Sequence, residues 1–120
     1  MTAREIVETY GAAWNEPDET TRRALLDKAW ADDGVYIDPQ SHVEGREALV
    51  LHIAAFHQSF AGASIVPTSG VDEHHGLVRF TWAMRVFDGS TIMEGIDFGE
   101  LAPDGRLKRI VGFFGPPPAE

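Results

Sequence analysis

Cysteine is absent from all 120 residues. That absence removes disulfides, thiolate-bound zinc, iron–sulfur clusters and cysteine nucleophiles together. Cations are sparse as well. Lys and Arg number 10 against 19 Asp and Glu, for a formal net charge of −9. Nucleic acids and anionic membrane surfaces are both held through clustered cations, so no nucleic acid and no membrane is expected as a partner. No stretch approaches the roughly 20 apolar residues that cross a bilayer. The start, Met1-Thr2-Ala3-Arg4-Glu5, carries no apolar run behind a basic residue. No secretory signal is therefore expected, and the expected location is cytoplasmic. No segment repeats itself.

What is present is a core-forming composition. Hydrophobic residues make up 43% of the chain and charged residues 24%, the balance of an ordinary globular domain. The length suits one domain, over residues 1–115. Pro116-Pro117-Pro118-Ala119-Glu120 reads as an extended proline-rich tail.

The first half is helical in pattern. Thr2 and Glu5 fit a capping box, and Ile6, Val7, Tyr10, Ala13 and Trp14 follow at helical spacing. A second helix is predicted from Glu19 to Ala31, stopped by Asp32-Asp33-Gly34. Val35 to Asp38 reads as a short strand cut by Pro39. A third helix opens at Glu44-Gly45-Arg46, carries Leu49, Ile53, Phe56 and Phe60 on one face, and is closed by Gly62. From Ser64 the character changes to strands and turns. Runs are predicted at Ser64 to Val71, Leu77 to Phe87, Thr91 to Leu101 and Arg106 to Phe114. Helices followed by an antiparallel meander make an α+β pattern.

The Asp88-Gly89 turn sets a register. Met84 then lies opposite Met93, Trp82 opposite Gly95 and Phe80 opposite Asp97. The turn at Pro103-Asp104-Gly105 extends this to Asp97 opposite Gly112. Because side chains alternate along a strand, Phe80, Trp82, Met84, Met93, Asp97, Ile110 and Phe114 share one face. Arg79, Thr81, Arg85, Ile92, Glu94, Ile96 and Phe98 share the other. The first face is large and apolar, so the helices should cover it. Asp97 is its exception. An acid there calls for a raised pKa and a hydrogen bond, and Gly95, Gly99 and Gly112 leave room around it. If the register slips by one residue, Asp97 instead meets Arg79 or Arg109.

The residues taken together resemble the NTF2-like cone-shaped α+β fold, and within it the SnoaL-like and ketosteroid isomerase-like proteins. The resemblance covers nearly the whole chain. Tyr10-Gly11-Ala12-Ala13-Trp14-Asn15 is similar to the family's first helix. Ala31-Asp32-Asp33 with Ile37-Asp38-Pro39 resembles the segment that holds the isomerases' catalytic carboxylate. Ile96-Asp97-Phe98 resembles the segment of their second acid, and Val111-Gly112-Phe113-Phe114-Gly115 their last strand. One departure is Ile53, which stands where close isomerases keep a tyrosine that supports the first.

The resemblance implies three helices packed on a curved antiparallel sheet that encloses a pocket. It also implies cofactor-free proton transfer on a small hydrophobic carbonyl compound, by isomerisation or by SnoaL-like cyclisation. Asp38 would move the proton, and Tyr10 and protonated Asp97 would donate to the enolate oxygen. Trp14, Phe56, Phe80, Trp82, Met84, Ile110 and Phe114 would form the wall against the substrate. Plainer readings stand beside these: Asp38 holding turn amides, and Tyr10 as a packed aromatic. His52 would edge the pocket, and His52 and His57 lack the spacing of a helical metal pair, so no metal site is expected. A non-catalytic module is the alternative, with the half-apolar outer sheet face suited to a homodimer. A limonene-type epoxide hydrolase is a weaker one, since its Asp–Arg–Asp set needs an arginine that the register sends outward.

Overall fold

The computed structural model describes residues 1–120. The capping box at Thr2 and Glu5 is formed at the head of α1 (Ala3–Asn15). Its buried stripe of Ile6, Val7, Tyr10, Ala13 and Trp14 is the one that the spacing predicts. Asp18 caps α2 (Glu19–Ala29). Between the two helices the buried guanidinium of Arg22 donates to the carbonyls of Glu16 and Pro17 and closes the corner.

The order then runs β1 (Trp30–Asp38), β2 (Ser41–Glu44), α3 (Arg46–Ser59), β3 (Ser64–Pro67), β4 (Asp72–His74), β5 (Leu77–Arg85), β6 (Thr91–Leu101) and β7 (Leu107–Phe114). All seven strands join one sheet in the order β2-β1-β7-β6-β5-β3, with β4 also paired to β5. Two features differ from the expected architecture. The sheet is mixed rather than antiparallel, because β1 runs parallel to β7. A strand before α3 is expected at Val35–Asp38, but the structure places two there, β1 and β2.

The second helix is shorter than expected and the first strand longer. Trp30 already has extended backbone, and its side chain is fully buried with its ring stacked on Tyr10 at 5.4 Å between centroids. Burying an indole outweighs two more residues of helix. Asp32, Asp33 and Gly34 therefore lie in β1, in an irregular stretch where Trp30 pairs with Leu107 and Val35 with Arg109. Gly34 is needed there: a Cβ would sit 2.5 Å from Trp30 Nε1. Arg46 anchors the start of α3 to this junction by donating to the Trp30 carbonyl and to Asp27.

The register of β5, β6 and β7 is the one deduced from the turns. Met84 pairs with Met93, Trp82 with Gly95 and Phe80 with Asp97, and Asp97 pairs with Gly112. A bulge at each turn absorbs the remainder, between Met84 and Arg85 and between Glu100 and Leu101. Residues 116–120 are exposed and lie in no helix or strand. No helix is long and apolar enough to cross a membrane.

Gly95 is the tightest point of the sheet. A Cβ on it would lie 2.2 Å from Trp82 Cζ2 and 2.8 Å from the Phe113 carbonyl oxygen. The Trp82 indole lies across that bare backbone. Gly95→Ala is expected to displace the indole and cost about 1–3 kcal/mol, read as a lower urea midpoint. An unchanged midpoint would show that the ring has room to move.

Candidate active site

A cavity of about 290 Å³ opens between α1, α3 and the inner face of the sheet. Its position follows from how α1 is held. Asn15 donates through Nδ2 to the Ile65 carbonyl, and the Ile65 amide donates back to Asn15 Oδ1, each at 2.7 Å. This pair of hydrogen bonds fixes the end of α1 across β3, and Tyr10 and Trp14 face the cavity.

Tyr10, Asp38 and Asp97 all line this one space. Trp14, Phe56, Phe80, Trp82, Met84 and Phe114 line it too, together with His52. Ile110 does not. It is fully buried in the core and packs beneath Gly99, where an added Cβ would meet its Cδ1 at 2.8 Å. Gly99 thus makes room for core packing rather than for a ligand. Ile110 shares the inner face, but it stands opposite Gly99, and with no side chain there its own settles inward.

Asp97 is only 7% exposed. Its Oδ1 accepts a hydrogen bond of 3.0 Å from Trp82 Nε1. No arginine reaches it: Arg79 is on the outer side, paired with Asp72 at 2.7 Å. The reach of Trp82 is a diagonal one. It pairs directly with Gly95, lies over that glycine, and so meets the acid two residues further on. Burial raises the Asp97 carboxyl to about 6, opposed by the Trp82 hydrogen bond and assisted by the charge of Asp38. Below that pH the acid is protonated; above it the carboxylate prevails.

Asp38 meets different surroundings. Its Oδ1 accepts from the Gln40 amide at 2.8 Å and its Oδ2 from the Tyr36 hydroxyl at 2.6 Å. The turn-holding bond anticipated for it is therefore made, and the residue faces the cavity as well. A carboxylate oxygen has two lone pairs, so each oxygen keeps one to offer. Asp38 and Asp97 flank Gly112: a Cβ on it would lie 2.8 Å from Asp97 Oδ1 and 3.7 Å from Asp38 Cβ.

Tyr10 is 3% exposed, and its hydroxyl has no hydrogen-bond partner. Burial, then the charge of Asp97, push the phenol well above its ordinary value; the nearby Trp14 indole opposes this without meeting hydrogen-bond geometry, and Asp38 adds to it. The hydroxyl is thus a fixed neutral donor. A buried donor without an acceptor is costly, and a ligand oxygen in the cavity would satisfy it. With Ile53 fully buried, no tyrosine on α3 supports Tyr10.

Tyr36 is the site residue that the sequence reading missed. It lines the cavity, donates to Asp38 and packs against Trp14 and His52 at 5.4 and 5.5 Å. Its hydroxyl too is pushed far above the ordinary value, mainly by burial. The signal was available, since Tyr36 and Asp38 are two apart on a strand and share a face. No arginine lines the cavity, so the Asp–Arg–Asp set of an epoxide hydrolase is not assembled.

The raised Asp97 pKa has a consequence for stability. The folded state binds this proton more tightly than the unfolded chain does. The contribution is full below about pH 4 and is lost as pH rises through about 6. Asp97→Asn keeps an acceptor for Trp82 and cannot ionise. The stability difference between Asp97→Asn and the natural chain should shift in favour of the variant by about 2 kcal/mol from pH 4 to 7.5. Parallel pH–stability curves from denaturant melts would rule out a buried, titrating Asp97.

The sequence matches the SnoaL-like domain over residues 7–110. No curated protein matches it. Among solved structures, it is 37% identical to a SnoaL-like family protein from Agrobacterium tumefaciens that is provisionally assigned as an isomerase. That match covers 97% of this chain and 100% of the other, with a TM-score of 0.90. An NTF2-like protein of unknown function from Cytophaga hutchinsonii is 17% identical at a TM-score of 0.72, covering 97% and 92% of the two chains. A provisionally assigned SnoaL-like polyketide cyclase from Jannaschia is 17% identical at a TM-score of 0.68, covering 91% and 84%. These two share the fold. The chain thus belongs to the SnoaL-like family.

Proposed function

We propose that this protein is a cofactor-free isomerase of the ketosteroid isomerase kind, acting by proton transfer on a small hydrophobic carbonyl compound. The observation that carries the reading is the meeting of Tyr10, Asp38 and Asp97 on one apolar cavity. The 37% identical relative assigned as an isomerase supports it. Asp38 takes a proton from the carbon beside the carbonyl. The electron pair moves onto the oxygen, which accepts hydrogen bonds from the Tyr10 hydroxyl and the protonated Asp97. Protonated Asp38 then returns the proton to the γ-carbon, and the double bond shifts into conjugation. No atom is gained or lost. Donors fixed in a dry site stabilise the developing charge without reorganising, and the aromatic wall excludes water from the enolate. An aldol ring closure of the SnoaL-like kind would use the same enolate.

With a β,γ-unsaturated ketone as substrate, conversion to the conjugated isomer is expected, followed by ultraviolet absorbance. Loss of the general base in Asp38→Asn should lower kcat at least about a hundredfold, with circular dichroism unchanged. The rate should also fall as pH rises past about 6, where Asp97 loses the proton it donates. Full activity in Asp38→Asn would remove this residue from the mechanism.

The second reading, a dimerising module, draws support from the outer sheet face. Ile92, Phe98 and Phe113 are exposed there, and Phe98 and Phe113 pack edge to face at 6.2 Å between centroids. A homodimer through this face would bury them. Light scattering is expected to give twice the 13.2 kDa chain mass and Phe113→Lys the single mass; a monomer at high micromolar concentration would defeat the dimer.

A further inference from the structure

Charge is distributed one-sidedly over the cavity lining. Two carboxyl groups, Asp38 and Asp97, line it, and no lysine or arginine does. The chain as a whole is acidic, at −9, so its outer field does not offset them. A ligand carboxylate entering here would meet two carboxyl groups in a partly dry space and no lysine or arginine, with His52 the one basic side chain on the lining, which is unfavourable.

The geometry points to the opposite preference: we propose that this cavity is a binding site for apolar ligands bearing a protonated amine, and that it rejects the same skeleton bearing a carboxylate. Three observations converge on this. First, Asp97 and Asp38 flank the bare backbone of Gly112, where a Cβ would approach Asp97 Oδ1 to 2.8 Å and Asp38 Cβ to 3.7 Å. An ammonium group seated above that glycine reaches Asp97 Oδ1, with Asp38 on the same lining beside it. Second, the acids are only partly satisfied. Asp97 Oδ1 takes the Trp82 indole and its Oδ2 has no protein partner, while each Asp38 oxygen keeps a free lone pair. An ammonium has three donors and no acceptor, which matches these carboxyl oxygens, while the Tyr10 hydroxyl on the same lining stays available to a ligand oxygen. Third, much of the remaining lining is aromatic. Trp14 lies within 5.6 Å of Phe56 and 5.4 Å of Tyr36 between ring centroids. Such faces attract a cation and bury its carbon skeleton at once. The inference needs the cavity alone and holds whether or not Asp38 acts as a base.

The test uses the full chain and three ligands on one skeleton: cyclohexylmethylamine, cyclohexylmethanol and cyclohexanecarboxylate. At about pH 7.5 the amine is protonated and the acid ionised, and Asp97 is mostly charged. Dissociation constants are read from the indole N–H resonance of Trp82, which reports on this site. The amine should bind at least about tenfold tighter than the alcohol, and the carboxylate at least about tenfold weaker than it. Asp97→Asn and Asp38→Asn should each narrow the gap between amine and alcohol. If the amine binds no better than the alcohol, or the carboxylate binds as well as the amine, the inference is wrong. Absence of binding by all three overturns it too. In each of these cases the isomerisation assay still decides the catalytic reading separately.

Discussion

A carboxyl group held out of water is the constraint around which the inner face of the sheet is arranged. Asp97 needs a donor, and an indole on the neighbouring strand supplies one. That indole reaches only because its cross-strand partner has no side chain. The acid in turn needs clearance on its other side, and Gly112 supplies it. Three positions on three strands are thus fixed by one group. The core beneath, from Trp30 to Leu107 and Ile110, holds those strands in register. Desolvation costs this acid some of its tendency to ionise, and the fold carries that cost at neutral pH. A group maintained at such expense is characteristic of a binding or reacting centre.

The two acids of the cavity are chemically alike and physically unlike. One is deep, with a single donor; the other is at a strand end, with a backbone amide and a phenol as donors. Burial favours the protonated form of the deep one, so the asymmetry lies in the surroundings and not in the residue type. Tyr36 deepens it, because its hydroxyl fixes the rotamer of Asp38 while its ring forms part of the aromatic wall.

Much of this was legible in the sequence where local chemistry decides geometry. Thr2 and Glu5 announce the first helix. Asp88-Gly89 fixes the pairing of β5 with β6, and with it the face on which Asp97 stands. The failures fall where distant packing decides. Nothing local in Ala31-Asp32-Asp33 says that Trp30 will leave the helix to stack on Tyr10. The parallel pairing of β1 with β7 joins segments some seventy residues apart, and no turn encodes it. Alternation along the strand sets the face of Ile110 but not its depth, because depth depends on Gly99 across the ladder. The short strands β2 and β4 lie in stretches of polar residues, where strand pattern is weak.

The clasp between Asn15 and Ile65 has an effect beyond steering a helix. β3 ends the sheet on one side, and a terminal strand with open amides and carbonyls is a template on which further chains can stack. The Asn15 carboxamide occupies one amide and one carbonyl of that border, as an added strand would. A single side chain thereby blunts fibrillar growth at this margin, and the helix that it tethers stands as a barrier over the same rim.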